Sequence, residues 1–447
     1  MSVGYFHRSH QAVYLDELAR LGERGWGLTG IGLRNAAMRD ALLPQDCLYT
    51  VVERDAAGDR ARIVGAMTRY HFAPDDPRAA VKAIGKRRTR LVTMTVTGAG
   101  YHADPSTGEF DVDDEEVAAD LADPTAPRSA LGLLVEGLAR RRRTGRPGLT
   151  ILSCDNMPAN GDVARTAVVG FARLRDERLA DWIERNVTFP SSMVDRITPK
   201  TTEKDRARLA RKFGVHDRWP VMTEPYSDWV IEDSFANGRP PLEEVGVRFV
   251  ADVRPYALIK TRLLNATHSA LGHLGSLAGL RTTDEAMADP LFGDYVERLT
   301  GDEIAPLLPR LPGLDLVDYR RTVLLRLANP KIADQLDRLC RGGSLKVPRH
   351  VLPSIAEHRR HGRPHPLLTL AVAGFCAHVR SGLGLDDPSA DRLRALARDP
   401  RGLLTDRVTF GALAGDDGFV ADVTVALATI ERHGVRAALA AGELVAA

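Results

Sequence analysis

The sequence predicts two domains, an α/β domain over residues 1–250 followed by a mainly α-helical domain over 251–447. Three observations predict this. Apolar, β-branched runs alternate with helical patterns through the first half, and from about residue 255 every periodic segment is helical. The third is size, because 447 residues at 44% hydrophobic content suffice for two or three cores at about 150 residues per domain.

Taken in order, the amphipathic "SHQAVYLDELARLG" after Gly4 is a helix, "WGLTGIGL" an apolar strand and "NAAMRDALL" a second helix. "LYTVVERD" and "RIVGAMTRYHF" are β-rich. The run "RLVTMTVTGAGYH", residues 90–102, is β-branched and ends in glycines, the pattern of a buried strand opening into a loop. After the helix "SALGLLVEGLARRRR", the run "LTILSCDN", residues 149–156, repeats that form. Alternating strands and helices imply parallel βαβ units, whose ligands bind beyond the carboxyl ends of the strands. The loops after Thr97 and Ser153 are therefore candidate site walls. Arg140–Arg143, the one dense basic run, suits a solvated helix C-terminus. The second domain is assigned from "PYALIKTRLLNATHSALGHLGSLAGL", "DYRRTVLLRLA", "KIADQLDRLCR", "PLLTLAVAGFCAHVRSGLG" and "VTVALATIERHGVRAALAA", all helical in period.

Charge narrows the function. Lys+Arg 61 against Asp+Glu 59 leaves a net charge of +2, which offers no general attraction to nucleic acid or anionic lipid and favours a small substrate. Cys47, Cys154, Cys340 and Cys376 are isolated, without a CxxC pair, so neither a zinc site nor a disulfide framework is expected. No apolar run reaches membrane-spanning length. A cytoplasmic, monomeric protein without metal is the expectation.

One helix carries unusual chemistry. In "PYALIKTRLLNATHSALGHLG", residues 255–275, Lys260, Asn265 and His268 interrupt the apolar pattern. At about 100° per residue, Asn265 falls roughly 140° and His268 roughly 80° from Lys260, so all three can line one cleft. A desolvated lysine takes a hydroxyl proton as its free amine, an asparagine amide stabilises the developing alkoxide, and a histidine orients either partner. The plainer alternative is a snorkelling lysine, a backbone-bonded asparagine and a satisfied buried imidazole.

These residues stand among motifs that resemble a known family, the polyol-specific long-chain dehydrogenases and reductases, which include mannitol 2-dehydrogenase, arabinitol dehydrogenase and fructuronate reductase. The resemblance rests on "VGYFHRSHQAVY", "SCDNMPANGDVAR", "FPSSMVDRITP", "EPYSDWVIED", "KTRLLNATHSALGHLG" and "GGSLKVP", in that order along nearly the whole chain. It implies a Rossmann-like dinucleotide-binding domain and a zinc-independent oxidoreductase using NAD. By the family's KxxxxNxxH helix, Lys260 is the general base or acid, with Asn265 and His268 beside it. The SCDN motif puts a second oxyanion-stabilising amide at Asn156. Val194 and Asp195 match the segment lining the substrate pocket, and Arg338 and Lys346 match two basic residues facing the substrate. The phosphate-binding GxGxFHRAHQ motif places cofactor contacts at Gly4, Phe6, His7 and Arg8.

The chain departs from that pattern in four places. Ser2 replaces the motif's first glycine with no apolar strand before it, so the sheet either lacks its first strand or closes differently. Arg34 lies where an acidic pair commonly meets the adenosine ribose, which admits NADP. Gly98 and Ala257 stand where glutamates are usual. The expected reaction interconverts a sugar alcohol of the mannitol or arabinitol type and its ketose. Two alternatives stand beside it, a hexuronate (fructuronate) reductase and a catalytically impaired nucleotide-binding homologue.

Overall fold

The computed structural model describes residues 1–103 and 109–444. The chain folds as two compact units, Met1–Arg254 and Pro255–Ala447, the first α/β and the second helical.

In the first unit, strand Leu28–Gly32 pairs in parallel with Met67–Phe72, and Leu91–Met94 with Thr150–Ser153. Thr150 is bridged in parallel to Thr188. Between the two pairs lie Met1–Val3. The N-terminal amine donates to Thr93 O at 2.5 Å, Thr95 N to Met1 O at 3.2 Å and Ser2 N to Ile31 O at 2.9 Å. Counting Met1–Val3 as the first position and the Thr188 bridge as the sixth, and setting aside Tyr49–Asp55 and Gly58–Val64, the backbone bonds join the two pairs in the order 3-2-1-4-5-6 of a dinucleotide-binding sheet. Residues Met1–Val3 occupy the first position. Alongside them, a cavity of about 550 Å³ runs between Gly27–Ile31 and Leu91–Thr93.

Helix Ala130–Arg143 covers this sheet because Leu131, Leu134, Val135 and Leu138 recur at helical spacing and are fully buried. Each such side chain contributes about 1.5–3 kcal/mol. The Ser129 hydroxyl caps the helix by accepting from Gly132 N at 2.9 Å. Gly137 permits the close approach of helix Pro77–Ile84, since a Cβ there would meet Ile84 at 2.4 Å.

Two expectations are corrected. The basic run is not simply solvated: Arg141 is fully buried and donates to the carbonyls of Ile84, Lys86, Thr89, Pro147 and Gly148, pinning two loops to the helix end. The unit is also not purely parallel. Tyr49–Asp55 pairs antiparallel with Gly58–Val64 and parallel with Val221–Thr223, while Ser192–Asp195 runs antiparallel to Asp228–Glu232, itself parallel to Arg248–Val250.

In the second unit, no strand occurs among the described residues. Its centre is helix Ala266–Leu277, packed against Pro366–Ser381 and Leu336–Cys340. The approach is close: a Cβ on Gly374 would meet Leu274 at 2.6 Å, and one on Gly272 would meet Leu339 at 2.9 Å.

Candidate active site

The helix that carries Lys260 is not a continuous α-helix. Arg254–Lys260 is α-helical, Thr261–Asn265 forms a π turn, and Ala266–Leu277 resumes the α-helix, with Ala266 N donating to Thr261 O across five residues. This corrects the angular argument above. In an unbroken α-helix Lys260 and Asn265 would sit about 140° apart, whereas one i→i+5 turn stacks them on one face. Both are buried, at 6% and 8% exposure. The buried Arg262, within the π turn, pairs with Glu357 at 2.7 Å and anchors the segment from its other side.

A neighbour of this pair escaped the sequence reading. His350 Nδ1 lies 3.3 Å from the Ser269 hydroxyl, and the imidazole is hydrogen-bonded to the Asn265 backbone. Burial, with Lys346, Lys260 and Arg349 nearby, pushes its pKa down to about 3, so it is a neutral imidazole. No local motif marks it, because 85 residues separate it from Asn265. His268 lies three residues past Asn265 and is partly exposed.

In the first unit, the loop after Thr150–Ser153 carries Asp155 and Asn156. The Asp155 carboxylate accepts from Val96 N at 3.0 Å, Thr97 N at 2.9 Å and the Tyr101 hydroxyl at 2.8 Å. It thus ties the SCDN loop to the TGAGY loop, where Thr97 is held at φ +67°. Burial raises the Asp155 pKa, and the three donors oppose that rise. Asn156 stands exposed beside it. Gly98 has open space where a side chain would begin, so its lack of a carboxylate is not forced by packing.

Val194 and Asp195 end the buried strand Ser192–Asp195, with Asp195 directly opposite Asp228. Burial raises the Asp228 pKa, Arg248 holding both its oxygens at 2.7–2.8 Å lowers it, and the Asp195 charge raises it again. Asp228 and Arg248 were not singled out from the sequence, although Asp228 lies in the quoted "EPYSDWVIED".

A cavity of about 230 Å³ opens beside the N-terminal stub, lined by Gly4, Tyr5, Arg34, Asn35, Gly100 and His102 among others. A Cβ on Gly4 would project into open space, the kind of cradle a pyrophosphate requires. Arg34 lies on the wall, 3.6 Å from Glu116. Phe6, His7 and Arg8 do not line this cavity. Phe6 stacks on His10 at 4.9 Å, and His7 is buried with its pKa lowered to about 3 by desolvation. Arg8 donates to Trp219 O at 2.5 Å between the Tyr5 and Tyr49 rings. These contacts brace the first helix, and the assignment of the three residues to the cofactor rests on the family motif.

Arg338 and Lys346 also have internal partners. Arg338 forms a bidentate pair with the buried Asp334, and Lys346 Nζ donates to Arg338 O at 3.2 Å and Leu339 O at 3.0 Å. Desolvation, then Arg338, lowers the Lys346 pKa to about 8.

Family models match both parts of the chain, a mannitol dehydrogenase Rossmann domain over residues 1–244 and a mannitol dehydrogenase C-terminal domain over 252–431. The mannitol 2-dehydrogenase of Phaeosphaeria nodorum is 44% identical, covering 98% of this chain and 80% of that protein. A mannitol dehydrogenase of Saccharomyces cerevisiae is 43% identical over 98% of this chain and 91% of its own length. Among solved structures, a ternary complex of Pseudomonas fluorescens mannitol 2-dehydrogenase with NAD and D-mannitol superposes with a TM-score of 0.90 at 37% identity, covering 100% of this chain and 93% of that one. A substrate-free D-sorbitol dehydrogenase gives a TM-score of 0.89 at 33% identity over 98% and 93%.

A dinucleotide-binding sheet, a helical second unit and these relatives define an NAD-dependent polyol dehydrogenase. The chain belongs to the mannitol dehydrogenase family.

Proposed function

We propose that this protein interconverts a sugar alcohol of the mannitol or arabinitol type and its 2-ketose, with Lys260 as the proton-transfer group and without a catalytic metal ion. The observation that carries the reading is the π turn, which stacks the buried Lys260 and Asn265 on one face. Bound NAD supplies the hydride acceptor. Lys260 Nζ, as the free amine, removes the hydroxyl proton as the C–H bond is lost, and returns it in the reduction. The Asn265 amide donates to the alkoxide oxygen while charge builds on it. His350, neutral and bonded to the Asn265 backbone, positions that asparagine. Asn156 is assigned the second amide donor, and His268 an orienting role, on the family motif alone.

The cofactor cavity fits NAD through the open cradle at Gly4, with Arg34 at the wall admitting NADP. Val194 and Asp195 are assigned to the substrate pocket, where a carboxylate suits polyol hydroxyls. The internal partners of Arg338 and Lys346 favour a neutral polyol over a hexuronate, since the two cations that would suit a carboxylate are already engaged.

The test is Lys260→Ala, assayed with D-mannitol, D-arabinitol and fructuronate against both cofactors. Loss of the general base should lower kcat by about 10²–10⁴-fold, with NADH affinity and melting temperature nearly unchanged. A variant keeping more than about a tenth of the activity contradicts the assignment.

A further inference from the structure

The second unit buries a cluster that the proposed reaction does not use. His273 on helix Ala266–Leu277, Cys340 at the end of Leu336–Cys340 and His378 on Pro366–Ser381 bring one ligand atom each to within 4.8 Å of one another, and all three are buried. Both ring nitrogens of His273 are buried without a hydrogen-bond partner, and those of His378 are buried with no well-formed bond, the Leu383 backbone being its one near polar group. A neutral imidazole has one donor and one acceptor, and leaving both unpaired, as in His273 beside a second poorly satisfied ring, is costly and rare in folded proteins. The rings meet edge to face at 5.1 Å, and Phe375 closes on His273 at 5.2 Å, so the surroundings are otherwise apolar. The Leu383 backbone near His378 acts to raise its pKa, as a carbonyl accepting from the ring would, and burial outweighs it.

We propose that His273, Cys340 and His378 bind a structural zinc ion. Two imidazole nitrogens and one thiolate form a ligand set that zinc accepts, and tetrahedral bonding places such atoms about 3.3–3.6 Å apart. Side-chain adjustments of about 1 Å close the present triangle to that size. The Ser276 hydroxyl, 3.6 Å from Cys340 Sγ, can hold a water in the fourth position or occupy it directly. Binding exchanges one proton for the metal, since Cys340 binds as the thiolate and releases its hydrogen to solvent. Burial raises the thiol's pKa, which marks it as an unreactive cysteine in the metal-free state. Asp337, which acts electrostatically on both Cys340 and His378, supplies compensating negative charge.

The ion would be structural for a geometric reason. His273 lies 13 residues beyond Lys260 along the same helix, about 20 Å at 1.5 Å per residue, too far to polarise an alcohol held at the lysine. It would instead fasten that helix to the segments carrying Arg338 and Lys346.

The experiment uses the full-length chain produced without a histidine tag. Elemental analysis after gel filtration should find about one zinc per chain. Protein stripped with a chelator should regain melting temperature on zinc addition by at least about 5 °C. With cobalt in place of zinc, the wild type should show thiolate-to-metal charge-transfer absorption that Cys340→Ser lacks. Because Cys340→Ser could perturb packing, His378→Phe, which fills the same volume, is measured in parallel and should also lose the metal while keeping native circular dichroism. A wild type without zinc, cobalt absorption or a zinc-dependent melting shift overturns the proposal, as does undiminished cobalt absorption in Cys340→Ser.

Discussion

Replacing Asp155 with asparagine tests how the cavity proposed for the nucleotide is held open. The carboxylate accepts three hydrogen bonds at 2.8–3.0 Å, two from the backbone N–H groups of Val96 and Thr97 and one from the Tyr101 hydroxyl. An asparagine keeps one carbonyl oxygen and turns an NH2 toward at least one of those donors, so one or two bonds to a charged acceptor are lost. Each is worth about 1.5–3 kcal/mol, and water can partly replace the bonds to the half-buried Val96 N–H and the exposed Thr97 N–H. Against this stands relief of the buried charge, since Asp155 already has a raised pKa from desolvation. The net cost should be about 2–4 kcal/mol, or a melting-temperature drop of roughly 5–15 °C for a unit of this size. Val96 and Gly100 belong to the cavity wall. NADH dissociation, followed by fluorescence titration, should therefore weaken about tenfold, equivalent to 1.4 kcal/mol of added ordering. A variant that melts within about 2 °C of the wild type and binds NADH equally would refute the idea that this carboxylate holds the loop.

Ala257 sits three residues before Lys260, about 60° round the helix, where a glutamate could relay protons to solvent. Ala257→Glu should raise the oxidation rate at neutral pH and change reduction less; pH–rate profiles overlaying the wild type in both directions would make the position a packing difference only. Lys346 has its folded pKa lowered to about 8 from 10.5. Between those values the unfolded chain holds a proton the folded one has released, so urea stability should rise with pH across that window. That rise should vanish in Lys346→Met, and an identical slope in the variant would deny the lysine's desolvation.

The division into an α/β and a helical part was legible because hydrophobic period changes from mixed to uniformly helical near residue 255, and period reports burial directly. The strand-end loops were legible for the same reason, since "LTILSCDN" can only be a buried strand that meets polar residues at its end. Strand pairing was not: nothing local in "SMVD" says that Asp195 will face Asp228 in an antiparallel pair. The π turn was invisible because the angular argument assumes one period throughout, and five residues of "TRLLN" carry no mark of a wider turn. Arg141 was misread as solvated because a charge run is read as a block, while only its own side chain finds five carbonyls. The His273, Cys340 and His378 cluster stayed hidden because 67 and 38 residues separate its members, far outside any metal-binding spacing.

The N-terminal stub has a thermodynamic consequence. Val3 lines both the cavity proposed for the nucleotide and the long cavity between the central strands, and Met1 and Ser2 supply the backbone bonds that join the two halves of the sheet. Occupancy of the first cavity and closure of the sheet therefore draw on the same few residues. Such equilibria are linked, and linkage is reciprocal: whatever fixes residues 1–5 favours the bound nucleotide, and the bound nucleotide favours a joined sheet by the same factor. The ligand becomes a clasp for the fold that receives it.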